Sequence, residues 1–183
     1  MTEPFVVEDL VPLTAEAART GFAVVAAAGW PEPGDERPPA LAGFIHSAFN
    51  PLVAAVAGRC LQRRPESAST GDGPPTTGIV LVSALGDVAS AAHVAETVDR
   101  GGRVGPLFFF QSVPNAVAGH IAARWGLTGP VACVGDTASG LDAARLLLAD
   151  GDAGEVLLVE VRHDTTGHET AAAVLVADAG GTT

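Results

Sequence analysis

The chain contains no lysine and no tyrosine, and its ten basic residues are all arginine. Without a lysine amine, no side chain is available for Schiff-base chemistry. Cysteine is nearly absent too. Cys60 and Cys133 show none of the paired spacings of a zinc site, so both are expected as buried free thiols in a reducing compartment. Gly71-Asp72-Gly73 and Gly101-Gly102 are the glycine-rich spots, and neither sits in the G-x-G-x-x-G or G-x-x-x-x-G-K pattern that cradles phosphates. No apolar run approaches the ~20 residues of a membrane span, and Met1 to Leu10 has neither the basic nor the apolar region of a secretory signal. These absences predict a cytoplasmic protein with no membrane partner. Positive charge is also scarce: 10 basic residues stand against 21 acidic ones, for a net charge of −11 and a pI near 4.6. Such a surface repels phosphate backbones and argues against a nucleic-acid partner.

What is present is an apolar chain of one-domain length. Its 183 residues are 48% hydrophobic with a mean hydropathy of +0.32, enough to bury a core without disulfides or metal. The abundance of alanine and glycine, with arginine as the sole basic residue type and no tyrosine, reads as the coding bias of a GC-rich bacterial genome rather than function.

The pattern along the chain alternates apolar strands with small-residue helices, which predicts an α/β protein. Pro4 to Leu13 alternates as an edge strand would, and Gly21 to Ala28 fits either a strand or a short helix. Residues 30–39 are a proline-rich loop. Leu41 to Arg63 has helical spacing, with Asn50-Pro51 as an irregularity or restart. Residues 65–75 have the composition of a flexible loop. Thr77 to Ala84 reads as a strand buried on both faces, and Gly86-Asp87 opens a helix, Val88 to Arg100, whose packing face is Ala91, Ala92, Ala95 and Val98. Leu107 to Phe110 is expected in the core, the commoner fate of such a segment, with a dimer contact or a substrate-tunnel wall as the alternative. Pro114 fits the first turn of a helix with a low-profile face around Val117, Ala118 and Ile121. Strand Val131 to Gly135, helix Leu141 to Leu148, an acidic turn at Asp150 to Glu155 and strands Val156 to Val161 and Thr170 to Ala177 complete the pass.

The stretch from Gln111 to Val161 carries the most information. It reads Q-S-V-P-N-A-V-A-G-H-I-A-A-R-W-G-L-T-G-P, then V-A-C-V-G-D-T-A-S-G-L-D-A-A-R-L-L-L, then an acidic turn and V-L-L-V-E-V. It resembles the nucleophile region of the β-ketoacyl synthases, within the thiolase-like superfamily. The resemblance extends to T-A-A-A-V-L-V-A at Thr170 to Ala177, with only R-H-D-T-T-G-H where the family inserts a long glycine-rich excursion. It implies a single N-terminal half spanning residues 1–183, a mixed, mostly parallel five-stranded sheet with helices on both faces, and no cofactor.

In that family the turn after Thr-Ala carries a catalytic cysteine. Counting from Pro130 without a gap puts the position at Ala138, and aligning Thr137-Ala138 and Ser139-Gly140 instead deletes it. Either alignment removes the thiol that would hold an acyl chain. The histidines that serve decarboxylative condensation belong to the family's C-terminal half. Cys133 stands five residues before Ala138, within the strand.

Among other candidates, Ser139 lacks the G-x-S-x-G elbow and an identifiable base, so Ser139 or Thr137 is read as a helix cap. Asp136 is read as a cap or contact residue, and His120 as structural. His46 and His93 offer nothing specific. His163, Asp164, His168 and Glu169 read as a solvated polar turn rather than a metal site. Phe108, Phe109, Phe110 and Gln111 are the candidate walls of a groove for an acyl chain or phosphopantetheine arm. Arg100, Arg103, Arg124 and Arg145 are a candidate basic patch for an acidic carrier protein.

The resemblance thus implies a non-catalytic ketosynthase-like protein, akin to a chain-length factor, in a fatty-acid or polyketide pathway. Its expected partner is a second copy or a ketosynthase-type subunit, met along Val131, Ala132, Cys133, Val134 and Gly135. Two alternatives stand beside it: an acyltransferase half completed by another chain and using Cys133 or Ser139, and a module binding acyl thioesters or acyl carrier protein.

Overall fold

The computed structural model describes residues 10–65, 75–163 and 169–180. Helix α1 (Leu10–Arg19) leads into β1 (Phe22–Trp30), followed by α2 (Phe49–Gln62), β2 (Thr77–Val82), α3 (Val88–Asp99), α4 (Pro106–Gln111), α5 (Pro114–Trp125), β3 (Val131–Val134), α6 (Thr137–Ala149), β4 (Glu155–His163) and β5 (Glu169–Asp178). The strands form one five-stranded sheet in the order β1-β5-β4-β2-β3. β2 pairs in parallel with both β3 and β4, and β5 pairs antiparallel with both β1 and β4. Four strands therefore point one way and β5 the other, the mixed, mostly parallel sheet that the sequence implies.

Alternation along the strands divides the core in two. Ile79, Leu81, Leu157, Val159, Ala173 and Leu175 pack against α2 and α5, while Val80, Val82, Leu158, Val174 and Val176 pack against α1 and α6. Helices therefore cover both faces. β2 and the apolar part of β4 are buried without interruption, as expected for strands enclosed on two sides. Glu155, at the start of β4, is buried among them. It accepts a hydrogen bond from the Thr77 hydroxyl at 2.6 Å and pairs with Arg64 at 3.0 Å.

Of four expectations, three are corrected and one left open is settled. Leu10 to Leu13 belongs to helix α1 rather than an edge strand, because Leu13 and Ala17, one turn apart, bury completely against the sheet; Pro4 to Asp9 lies outside the described residues. Gly21 to Ala28 resolves as strand β1, paired along its length with β5. The helix drawn from Leu41 begins only at Phe49. Gly43 turns the chain with φ +91°, the Ser47 hydroxyl accepts from the Asn50 amide at 2.8 Å, and Pro51 falls in the first turn where a missing N–H costs nothing. The fourth concerns α3 and α4. Ala91, Ala92, Ala95 and Val98 are exposed rather than packed, and Phe109 and Phe110 are 66% and 68% exposed rather than in the core. Nearly all of the flexible-loop expectation falls on residues 66–74, outside the described residues.

Candidate functional site

The parallel strands β4, β2 and β3 end side by side, with Glu160, Val82 and Val134 in register across the sheet. The carboxyl edge of parallel strands is where open α/β sheets present ligand-binding loops. Here β3 passes directly into α6 through Gly135 and Asp136. The Asp136 carboxylate caps the helix, accepting the Ser139 amide at 2.9 Å and the Ser139 hydroxyl at 2.7 Å. Those bonds from Ser139 hold the Asp136 carboxyl below the usual aspartate range. Asp136, not Ser139 or Thr137, is therefore the cap. Thr137 instead donates its hydroxyl to the buried Glu160, which also pairs with Arg162 at 2.9 Å.

Ala138 is the second residue of α6 and is exposed. It stands where amide N–H groups and the helix dipole would favour a thiolate, and it offers only a methyl group. Gly140, two residues on, has a packing reason. A Cβ there would come within 2.6 Å of the Val82 methyl, so glycine lets α6 lie against β2.

The two substitute nucleophiles are badly placed for the chemistry. Ala132 and Val134 pack toward α6, so alternation turns Cys133 to the other face of the sheet, where its thiol donates to the Asn115 Oδ1 of α5 at 2.8 Å. It is exposed at the sheet edge, not buried as expected, yet the neighbours that half-enclose it push its pKa up. Ser139 has a carboxylate beside it, but one held low is a weak base. Cys60 is buried as expected, with burial pushing its thiol up to about 12.

Other candidates scatter. Arg124 lies on α5 and Arg145 on α6, on opposite faces of the sheet, while Arg100 pairs with Glu96 at the end of α3. The four arginines form no single patch. His163 and Glu169 face each other at 2.9 Å across β4 and β5, whereas Asp164 and His168 lie outside the described residues. No group of three or more His, Cys, Asp and Glu side chains able to hold a metal occurs among the described residues. Among them too, no helix is long and apolar enough to cross a membrane.

Phe108 to Gln111 form helix α4, opened by Pro106. Phe109 and Phe110 meet edge to face in solvent. Phe108 turns inward to His46 and His93, whose rings stack at 4.0 Å, a trio that sequence spacing cannot reveal because it joins a loop and two helices. The largest groove described, about 1,110 Å³, is lined instead by Trp30, residues from Arg37 to Leu52, the start of α3, and His163 and Glu169. Nothing in the sequence linked these segments.

β3 is one of the two outer strands of the sheet, β1 being the other. The carbonyls of Pro130 and Val134 accept from the Ile79 and Ser83 amides of the β2 side. Alternation therefore turns the backbone N–H and C=O of Val131 and Cys133 to the open edge. Val131, on that edge, is 40% exposed.

No protein-family model matches the chain, and no curated protein matches it by sequence. Solved structures do resemble it. A ketosynthase in complex with its chain length factor from Xenorhabdus doucetiae matches 88% of this chain and 80% of the other, with TM-score 0.69 and 16% identity. The ishigamide ketosynthase/chain length factor matches 82% of this chain at TM-score 0.60 and 21% identity. A type II polyketide synthase acyl-carrier protein in complex with its ketosynthase matches 86% at TM-score 0.58 and 12% identity. The chain spans only 49% and 63% of the last two. At these identities the likeness defines the fold alone, the mixed α/β fold that the chain shares with these ketosynthase structures.

Proposed function

We propose that this protein is a non-catalytic, ketosynthase-like accessory subunit of a polyketide or fatty-acid pathway, acting on an active synthase by association. The observation that carries the reading is Ala138. The fold builds the strand, cap and helix N-terminus that would activate a cysteine, and a methyl group occupies the position. Two of the structurally similar assemblies pair a ketosynthase with a chain length factor, which supports a ketosynthase-type partner or a second copy. The open edge of β3 supplies the surface, through Val131 to Gly135. The absence of a membrane-crossing helix among the described residues and the two free thiols agree with a cytoplasmic location.

The alternative of an active half completed by another chain would need Cys133 to act from the wrong face of the sheet. The carrier-protein alternative draws support from the complex of an acyl-carrier protein with its ketosynthase, but the four arginines that would attract an acidic carrier are dispersed.

Affinity purification from the native host, read by native mass spectrometry, tests the assembly. A stoichiometric complex with a ketosynthase-type chain, or a homodimer, is expected. Val131→Pro should abolish it, since proline removes an edge N–H while leaving the ladder to β2 intact, and Val131→Thr should retain it. A monomer at micromolar concentration, or a complex indifferent to the proline, would overturn the reading.

A further inference from the structure

On the α2 and α5 face of the sheet, away from the Ala138 turn, two hollows meet. A small one of about 290 Å³ lies between α2 and α5, and the groove of about 1,110 Å³ runs from it toward His163. Pro39, Ala40, Leu41 and Pro51 line both. The two differ in chemistry. The small hollow is basic, with Arg124, Arg59 and His120 on its walls, in a chain whose net charge is −11. Arg59 is already held by Asp35 and lies over the Trp30 ring at 4.7 Å, but Arg124 has no ion-pair partner among the described residues. The Nε2 of His120 is buried and makes no hydrogen bond there. A buried ring nitrogen without a partner is costly unless something else supplies one. The large groove is apolar, walled by Trp30, Leu41, Phe44, Leu52 and Val88, with Ile45 85% exposed at its rim.

We propose that this composite groove binds a single-chain amphiphile with an anionic head. The carboxylate or phosphate sits on the Arg124 guanidinium, joined by His120 Nε2–H once a turn of the ring unseals that nitrogen, and the alkyl chain crosses Leu41 into the apolar groove. Charge complementarity selects the head, since an arginine and a desolvated ring N–H both donate to an oxyanion. Apolar area selects the tail. The site lies across the sheet from β3's helix α6, so it stands whether or not the accessory reading does.

The protein carries its own reporters, because its two tryptophans line one hollow each, Trp125 the small and Trp30 the large. Intrinsic fluorescence would be titrated with decanoate, decyl phosphate, decanol and decyltrimethylammonium, each below its micellar concentration, and Trp125→Phe and Trp30→Phe would assign the signal. At least one anion is expected to bind about tenfold or more tightly than decanol, and the cation more weakly still; whichever anion binds tighter identifies the headgroup. Arg124→Gln, on an exposed position of α5, should weaken the anion about tenfold and leave decanol unchanged, with an unaltered melting temperature. Equal binding of decanol and both anions, equal binding of the cation, or an Arg124→Gln affinity matching wild type would each overturn the proposal.

Discussion

Helices α5 and α3 are both 12 residues long and both carry four alanines with a few branched apolar residues, yet they meet opposite fates. α5 buries Val117, Ala118 and Ile121 between α2 and the sheet. α3 buries only Ser90, and its row of Ala91, Ala92, Ala95 and Val98 faces solvent. Its cap is sound, since Asp87 accepts the Ser90 amide at 3.0 Å and Asn50 ties that carboxylate to α2 at 2.9 Å. What α3 lacks is a surface to lie on. The difference teaches that a small-residue helical face announces close packing without saying whether the neighbour belongs to the same chain. Leu85, just before α3, and Val88, at its start, are exposed as well, while the apolar face of α5 is enclosed by α2 and the sheet.

The comparison breaks most sharply under truncation. Ile121→Ala should cost about 3 kcal/mol, because it empties a fully packed site, whereas Val98→Ala should stay within about 0.5 kcal/mol. Urea unfolding of both variants measures this. Equal costs would mean that α3 is packed in solution after all. The next effect lies in association rather than folding. Phe109→Asp places a charge among the exposed rings of α4 and should weaken self-association or subunit binding by about 2 kcal/mol, roughly thirtyfold, while leaving the unfolding midpoint of the isolated chain unchanged. Sedimentation across a concentration series reads the loss, and unchanged association would place the interface elsewhere.

The covered side was the legible side. Strand β2, the burial of β4, the Asp87 start of α3 and the closing strand β5 follow from apolar runs and punctuation that act locally. Leu10 to Leu13 and Leu41 to Ala48 were misread for opposite reasons. In the first, a short apolar pattern fits strand and helix alike, and burial of Leu13 beside Ala17 decided it; in the second, helical spacing continued through a segment that Gly43 turns. At the candidate site, the cysteine-free turn and the edge strand were readable because both are properties of one segment. The Thr137–Glu160 bond, the His46–His93–Phe108 trio and the two hollows were not, since each joins residues far apart in sequence. Composition placed Phe109 and Phe110 inside because burial is the commoner fate of such residues, and a bare face is the case where that inference fails.

Cysteine reactivity carries the same comparison to α6. Ala138→Cys puts a thiol on the open helix N-terminus, where its pKa should fall by about one unit relative to a free cysteine. Alkylation at pH 7 should then label position 138 fastest, Cys133 slowly because partial burial raises its pKa, and Cys60 not at all, since its thiol is pushed up to about 12. Peptide mapping after timed iodoacetamide treatment gives the order. Labelling of the Ala138→Cys thiol no faster than that of Cys133 would show that the helix end does not activate a nucleophile, and that the site was never merely one atom short of one.

The smallest effect concerns the polar ties of the closed side. Arg59 grips Asp35 and Arg63 grips Glu32, fixing the start of the proline-rich loop to α2, whereas the Arg100–Glu96 pair on α3 stays within one exposed turn. The Arg63 and Arg59 hydrogen bonds hold Glu32 and Asp35 below their ordinary values of 4.5 and 3.8. A carboxylate whose pKa is depressed on folding stabilises the fold at every pH above its ordinary value and loses that contribution as pH falls through the folded value. Wild type should therefore exceed the Glu32→Gln/Asp35→Asn variant by about 1 kcal/mol at pH 7, given partial solvent screening, and the gap should close as pH drops from 4.5 downward. Glu96→Gln on α3 should show no such acid-dependent gap. Melting curves of the three proteins between pH 7 and pH 3 decide it: a gap at residues 32 and 35 that does not change with pH would assign the stabilisation to the shape of the loop rather than to its charges.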